Sequence, residues 1–169
     1  ATPKTKILIL NSPSNPTGCV YSLEELKKIA EICVDKKIFV ISDEIYEKII
    51  FDGQKHVSIA SFGKDIYDLT ITVNGLSKSH AMTGWRIGYL GAPQDIADAI
   101  SNLQDHTTSN PTSIAQKAAV AALAMPDSFC ITMRDEFQKR RDYIVKRLTG
   151  MMGIDHVMPS GAFYIFCDI

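Results

Sequence analysis

No apolar run in this 169-residue chain approaches the roughly 20 residues that a helix needs to cross a bilayer. The formal net charge is only −1, so neither nucleic acid nor an anionic membrane surface is expected as a partner. There is no signal-peptide pattern at the start. Glycine is spread thinly, and its ten residues include no Gly-x-Gly-x-x-Gly, no Walker loop and no Gly-x-Ser-x-Gly. A dinucleotide turn, a P-loop and a nucleophile elbow are thereby excluded. Cysteine is scarce: Cys19, Cys33, Cys130 and Cys167 form no Cys-x-x-Cys pair and have no histidine at zinc-ligand spacing. They read as small buried hydrophobes in a reducing cytosol, which makes the expected localisation cytoplasmic. His56, His80, His106 and His156 are widely separated, so no metal is expected.

What remains is an ordinary globular composition, 46% hydrophobic and 22% charged, long enough to bury a core. Lys6 to Leu10 is a short apolar run ending at Asn11-Ser12-Pro13, as expected of a buried strand. Ser22 then opens a helix, with Glu25 completing a capping box. Leu23, Leu26, Ile29, Ala30 and Cys33 form its apolar stripe. Further strands are read at Ile38–Ile41, Leu69–Val73 and Ile87–Gly91, and helix-sized connections suggest a largely parallel sheet covered by helices. Ligands gather at the carboxyl edge of such a sheet. Asn15, Asp43 and Lys78 all fall just past a strand end.

The last third reads as helical. Pro93 suits a first helical turn, with Ile96, Ile100 and Leu103 as the stripe. Ser113 to Ala124 is Ala-rich and expected to be buried. Phe129, Met133, Phe137, Ile144 and Leu148 mark one face of a long helix, Asp127 to Thr149. Gly, Met and Pro cluster between Thr149 and Gly161, so a domain boundary is expected there, with 1–150 as one domain and 151–169 as the beginning of the next. A strand is expected near Phe163. The chain starts without Met just ahead of a strand and stops inside an apolar run, which reads as a fragment of a longer protein.

The strongest signal is Ser77-Lys78-Ser79-His80-Ala81-Met82-Thr83-Gly84-Trp85-Arg86-Ile87-Gly88-Tyr89. It is joined by Asn11-Ser12-Pro13-Ser14-Asn15-Pro16-Thr17-Gly18, Ser42-Asp43-Glu44-Ile45-Tyr46 and Ser109-Asn110-Pro111. In order and spacing these resemble the class I/II aminotransferases, aspartate aminotransferase-like members of the pyridoxal-phosphate (PLP) dependent fold-type I superfamily. The resemblance covers essentially the whole chain. It implies an α/β fold, namely part of the large domain with a mixed, mostly parallel sheet and helices on both faces, then the start of a small α+β domain. It implies pyridoxal 5'-phosphate as cofactor, amino-acid and 2-oxo-acid substrates, and a homodimer.

The resemblance also assigns roles. A free lysine amine, with a pKa of about 10.4, is a weak nucleophile at neutral pH; in a desolvated site it can hold a Schiff base and carry a proton. Lys78 is the residue so implied. Asp43 would face the cofactor's ring nitrogen and keep it protonated. Tyr46 and Asn15 would contact the ring oxygen, and Asn15-Pro16 is a candidate cis peptide. Arg86 would grip the phosphate with its planar guanidinium, assisted by the Ser77 hydroxyl. Gly75 lacks a hydroxyl that some relatives carry. Ser109-Asn110-Pro111 resembles a loop that approaches a neighbouring subunit's site. Gln104-Asp105-His106 holds no arginine of the kind that grips a distal carboxylate in some aspartate-specific relatives. His80 reads as structural, and Glu44 is expected to point away from the site.

Other enzymes of the same fold, such as C–S β-lyases or cyclopropane-forming synthases, share Lys78, Asp43, Tyr46 and Arg86. A non-catalytic regulator that senses PLP also stays open. The donor amino acid is not fixed by these residues.

Overall fold

In the computed structural model, which describes residues 1–169, β1 (Ile7–Asn11), β2 (Phe39–Asp43) and β3 (Thr70–Gly75) lie side by side and parallel. The last strand, β4 (Gly88–Gly91), pairs antiparallel with β3, so the sheet order is β1-β2-β3-β4. The mixed, mostly parallel sheet read from the sequence is therefore present. The reversal at β4 follows from its connection. Residues 76–87 contain only the one-turn helix α3 (Leu76–Ser79) and a 3-10 turn at Thr83–Trp85, not the crossover helix that usually returns a parallel strand.

Helix α1 (Leu23–Lys36) forms where the sequence places it. The Ser22 hydroxyl accepts from the Glu25 amide while the Glu25 carboxylate accepts from the Ser22 amide, a complete capping box. Lys37 ends it in the left-handed conformation, its N–H returning to the Cys33 and Val34 carbonyls. Leu26, Ala30 and Cys33 bury against Leu10, Val40 and Ile38. Burying Leu26 alone contributes roughly 1.5–3 kcal/mol. Leu23, expected on this stripe, stays exposed because it is the first helical residue and overhangs the sheet. A 3-10 turn (Ile59–Phe62) and α2 (Lys64–Tyr67) complete the cover through Ile59 and Ile66.

The pleat sends alternate residues to opposite faces. Val40 and Ser42 point under α1 and are buried, whereas Phe39, Ile41 and Asp43 point the other way. On that second face Ile7 and Ile9 remain 54% and 73% exposed, so within these residues the β1 end of the sheet carries no helix there.

The helices α4 (Gln94–Thr107), α5 (Ser113–Leu123) and α6 (Ser128–Leu148) follow. No single helix is long and apolar enough to cross a membrane. Pro93 is the N-cap of α4 rather than a residue of its first turn. Helix α5 departs from expectation. Ala119 and Ala122 are buried against Leu76 and Met82 and Ala115 is buried as well, but Ile114, Val120 and Leu123 are exposed, so only one stripe is covered. The cysteines also split: all four thiols are free, Cys33 and Cys130 are buried, Cys19 is exposed and Cys167 is intermediate.

The expected strand near Phe163 is not formed. Ala162 adopts a left-handed φ of 57°, and the pairings beyond α6 are a single antiparallel bridge from Gly161 to Ile50 and the two-residue β5 (Asp155–His156) with β6 (Cys167–Asp168). The cause lies in the preceding residues. Phe51 N–H donates to Ser160 O and Ala162 N–H donates to Ile49 O, both at 2.9 Å. This docks the segment onto the chain after β2 and leaves Phe163 in a turn with Tyr164 just beyond it.

Candidate active site

The register brings the ends of three strands level, Asn11 opposite Asp43 and Asp43 opposite Val73. Strand β3 continues two residues further and passes directly into α3, whose third residue is Lys78. The lysine is half-buried. Its Nζ lies 5.7 Å from the Tyr46 ring centroid and 5.4 Å from that of Phe163, so the amine stands between two aromatic rings at the carboxyl edge of the sheet.

Tyr46 is 3% exposed. Its ring meets Phe163 edge-on at 5.2 Å and Tyr164 at 5.8 Å, and its hydroxyl is 2.6 Å from that of Tyr164. Burial pushes the Tyr46 phenol well above its ordinary pKa, and the Tyr164 hydroxyl and the Asp43 charge push the same way. Asp43 is half-buried at the end of β2. Its Oδ1 accepts from the Ile45 amide at 3.3 Å, which leaves the carboxylate otherwise free for a ligand.

Glu44 points to the other side of the sheet, as expected, and there it is 4% exposed. Its Oε1 accepts from the Ser42 and Ser58 hydroxyls at 2.8 and 2.7 Å, and its Oε2 lies 2.7 Å from His56 Nε2. Burial acts to raise this carboxyl. The bonds to His56, Ser58 and Ser42 outweigh it and hold the group below the usual range. Glu47 lies close enough for a three-residue cluster with Glu44 and His56, but both Glu44 oxygens are already engaged.

Three further candidates make no hydrogen bond to Lys78, to Tyr46 or to the Asp43 carboxylate. Ser77 is half-buried, and its carbonyl accepts from Thr83 Oγ1 at 2.8 Å. Arg86 is exposed, has a left-handed φ of 50°, and donates from Nη1 to Thr83 O at 2.8 Å. Thr83 thus closes the loop that carries Ser77 and Arg86. Asn15 is also exposed. Its amide donates to Asn11 Oδ1 at 2.7 Å, and Asn11 Nδ2 donates to Asp43 O at 3.3 Å, which ties the Asn15 loop to the end of β2. The Asn15-Pro16 bond is cis, and so is Ser12-Pro13. His80 Nδ1 lies 2.8 Å from Ser79 Oγ, and its ring stacks on Phe129, in keeping with a structural residue.

Sequence reasoning missed Phe163, Tyr164, Thr83 and Asn11. Tyr46 and Tyr164 are 118 positions apart, and no local periodicity reports such a contact. The one available signal was Pro159-Ser160-Gly161, whose turn chemistry argues against an uninterrupted strand.

Comparison with known proteins identifies the family and the fold. The family described as aminotransferase class I and II matches residues 1–169. The aspartate aminotransferase of Geobacillus stearothermophilus is 50% identical over 165 residues, 98% of this chain and 42% of its own length. The aspartate/prephenate aminotransferase of Cereibacter sphaeroides is 44% identical over 169 residues, 99% of this chain and 42% of its own. The solved structure of the aspartate aminotransferase from Rhizobium meliloti superposes with a TM-score of 0.95 at 41% identity, covering 99% of this chain and 42% of that one. The chain therefore spans about 42% of the length of these relatives.

Proposed function

Because the chain belongs to the class I and II aminotransferase family, we propose that it is part of a PLP-dependent aminotransferase that moves an amino group between an L-amino acid and a 2-oxo acid. The observation that carries this reading is the half-buried Lys78 amine between the Tyr46 and Phe163 rings, beside the level ends of β1 and β2.

The donor set suits the cofactor. It comprises an amine at Lys78, a carboxylate at Asp43 with a single internal hydrogen bond, a phenol at Tyr46, and a loop bearing the Ser77 hydroxyl and the Arg86 guanidinium. Lys78 Nζ would hold the aldehyde, Asp43 the ring nitrogen and Tyr46, with Asn15, the ring oxygen. Ser77 and Arg86 would hold the phosphate. When bound, PLP supplies an electron-withdrawing ring that stabilises negative charge at the amino-acid Cα. Lys78 Nζ would accept the Cα proton of a bound amino acid and hold it for return. Asp43 holds the opposing positive charge in place. Phe163 and Tyr46 flank the amine with apolar ring faces.

Residues 1–150 serve in this reading as part of the cofactor-binding large domain, and 151–169 as the beginning of the small domain. The exposed apolar side chains on α5, Ile114 and Val120 among them, support a homodimer when the protein is at full length. The four free thiols support a cytoplasmic location. Aspartate is the first donor to assay, because similar proteins carry that name.

The test is borohydride reduction of the full-length protein, then peptide mass analysis, beside an assay of amino-acid and 2-oxoglutarate exchange. A pyridoxyl mass on Lys78 with keto-acid exchange is expected. Its absence from Lys78 would overturn the reading, and pyruvate with ammonia in place of exchange would make the protein a lyase.

A further inference from the structure

The reading above leaves Tyr164 without a task, yet its hydroxyl is the only polar group bonded to the Tyr46 hydroxyl, at 2.6 Å. We infer that Tyr164 is a positioning residue for Tyr46, donating its proton to the Tyr46 oxygen so that the Tyr46 proton is directed at the cofactor's ring oxygen. The inference rests on the proposed cofactor site and deepens it.

Each phenol carries one proton, and only one proton can lie between two oxygens. If Tyr46 donated to Tyr164, it would offer the ring oxygen only lone pairs. An ionised ring oxygen can only accept, so that arrangement sets two acceptors against each other. The reverse order, Tyr164 to Tyr46 to the ring oxygen, satisfies every group. A hydroxyl that accepts a hydrogen bond is also a stronger donor, because successive bonds polarise one another.

The surroundings favour the same order. Tyr46 is 3% exposed and has no other hydroxyl partner. The charged groups facing it are Asp43, whose field opposes loss of the Tyr46 proton, and the Lys78 amine at 5.7 Å from its ring. Phe163 meets its ring edge-on and is itself backed by Phe137, which leaves the phenol no competing acceptor on that side. Tyr164 is less deeply buried, so its own oxygen can accept from solvent while it donates inward.

Donation to the ring oxygen lowers the basicity of the conjugated chromophore. Weakening that bond therefore lets the bound cofactor keep its proton to higher pH. The experiment is an absorbance titration of the cofactor-loaded full-length protein as wild type, Tyr164→Phe, Tyr46→Phe and the double variant. Phenylalanine at 164 keeps the ring contacts and removes only the hydroxyl.

Tyr46→Phe is expected to raise the midpoint. Tyr164→Phe should raise it by about 0.2–0.6 pH units, and in the Tyr46→Phe background it should add nothing. A Tyr164→Phe midpoint equal to wild type, with Tyr46→Phe shifted, would overturn the inference and leave the cofactor site standing. An equal Tyr164→Phe shift in both backgrounds would overturn it too, since the effect would not pass through Tyr46. If Tyr46→Phe moves nothing, the placement of Tyr46 at the cofactor fails, and the inference goes with it.

Discussion

Arg141 grips Asp52 with both terminal nitrogens, at 2.6 and 2.8 Å, and the same guanidinium donates to the Pro159 carbonyl at 3.1 Å. It also lies over the Phe51 ring, 4.7 Å from the centroid. One side chain thus fastens α6, the chain that follows β2, and the segment leading to Phe163 and Tyr164. The site depends on this fastening, because Tyr164 approaches Tyr46 only while residues 159–164 stay docked.

Asp52→Asn should therefore lower stability by about 1 kcal/mol. The cost of breaking a buried ion pair is discounted because the Asp52 side chain is 48% exposed whereas that of Arg141 is 6% exposed. The hydrogen bonds from Arg141 hold the Asp52 carboxyl below its ordinary pKa. A folded-state pKa below the unfolded value means that the contribution is complete above about pH 4 and is lost as pH falls through the folded value. Urea unfolding at pH 7 and pH 3 should show the difference between variant and wild type shrinking in acid. A difference that persists unchanged at pH 3 would contradict the ion-pair account.

Glu44 offers a sharper contrast between two substitutions. Gln can still accept from Ser42 and Ser58 and loses mainly the charge-assisted bond to His56, a cost of about 1–2 kcal/mol. Ala strands all three partners, the buried Ser42 and the half-buried His56 and Ser58, and leaves a void, and should cost about 3 kcal/mol or more. The sign of the pH effect follows from the lowered carboxyl. Stabilisation is full above the usual carboxylate range and fades as acid protonates Glu44. Thermal melts between about pH 6 and 3 should decline less steeply for Glu44→Gln than for wild type.

Much of this was readable in the sequence for a physical reason. Asp43, Tyr46 and Lys78 lie within a few residues of a strand end, so an apolar run and a turn are enough to place them at one edge. The capping box at Ser22 and Glu25 is equally local. The direction of β4 was not readable, because its four residues form the same pattern whichever way they run. The partners of Glu44, Asp52 and Tyr46 at His56, Arg141 and Tyr164 were hidden as well. Each is chosen by packing across the fold, and the apolar run Ala162–Phe166 gave a strand signal that docking of Ser160 and Ala162 overrides.

In the proposed site, Gly75 would lie on the phosphate side. A side chain there would put its Cβ 3.1 Å from both Gly88 Cα and Ile45 Cδ1 and 3.2 Å from Ile87 O. The Ile45 methyl can rotate away, but the β4 backbone cannot. Gly75→Ser, offered as a way to add a phosphate-binding hydroxyl, should instead cost about 1 kcal/mol through overpacking and leave cofactor affinity no tighter. Denaturation midpoints and a PLP titration of the full-length protein would check both halves.

The 169 residues expressed alone should neither transaminate nor hold PLP firmly. Ile7, Ile9, Ile114 and Val120 all expose more than half of their surface, and the relatives are more than twice as long. Keto-acid exchange by this piece at rates near those of the full-length protein would contradict the expectation.

Gly161 tests whether the docked segment controls the site. Its position is crowded on two sides: a Cβ would lie 2.8 Å from Pro13 Cβ and 2.9 Å from Ile49 O, closer than carbon contacts tolerate. The backbone must then move, because one obstacle is a carbonyl and the other a ring fixed between buried neighbours. Moving it lengthens the bond from Ala162 N–H to Ile49 O and carries Phe163 and Tyr164 with it. Gly161→Ala should cost about 1–3 kcal/mol and, in the full-length protein, lower kcat/KM by more than a comparably destabilising change on the buried face of α1, such as Cys33→Ala. Equal losses of activity from the two would mean that residues 159–164 serve the fold and not the Lys78 site.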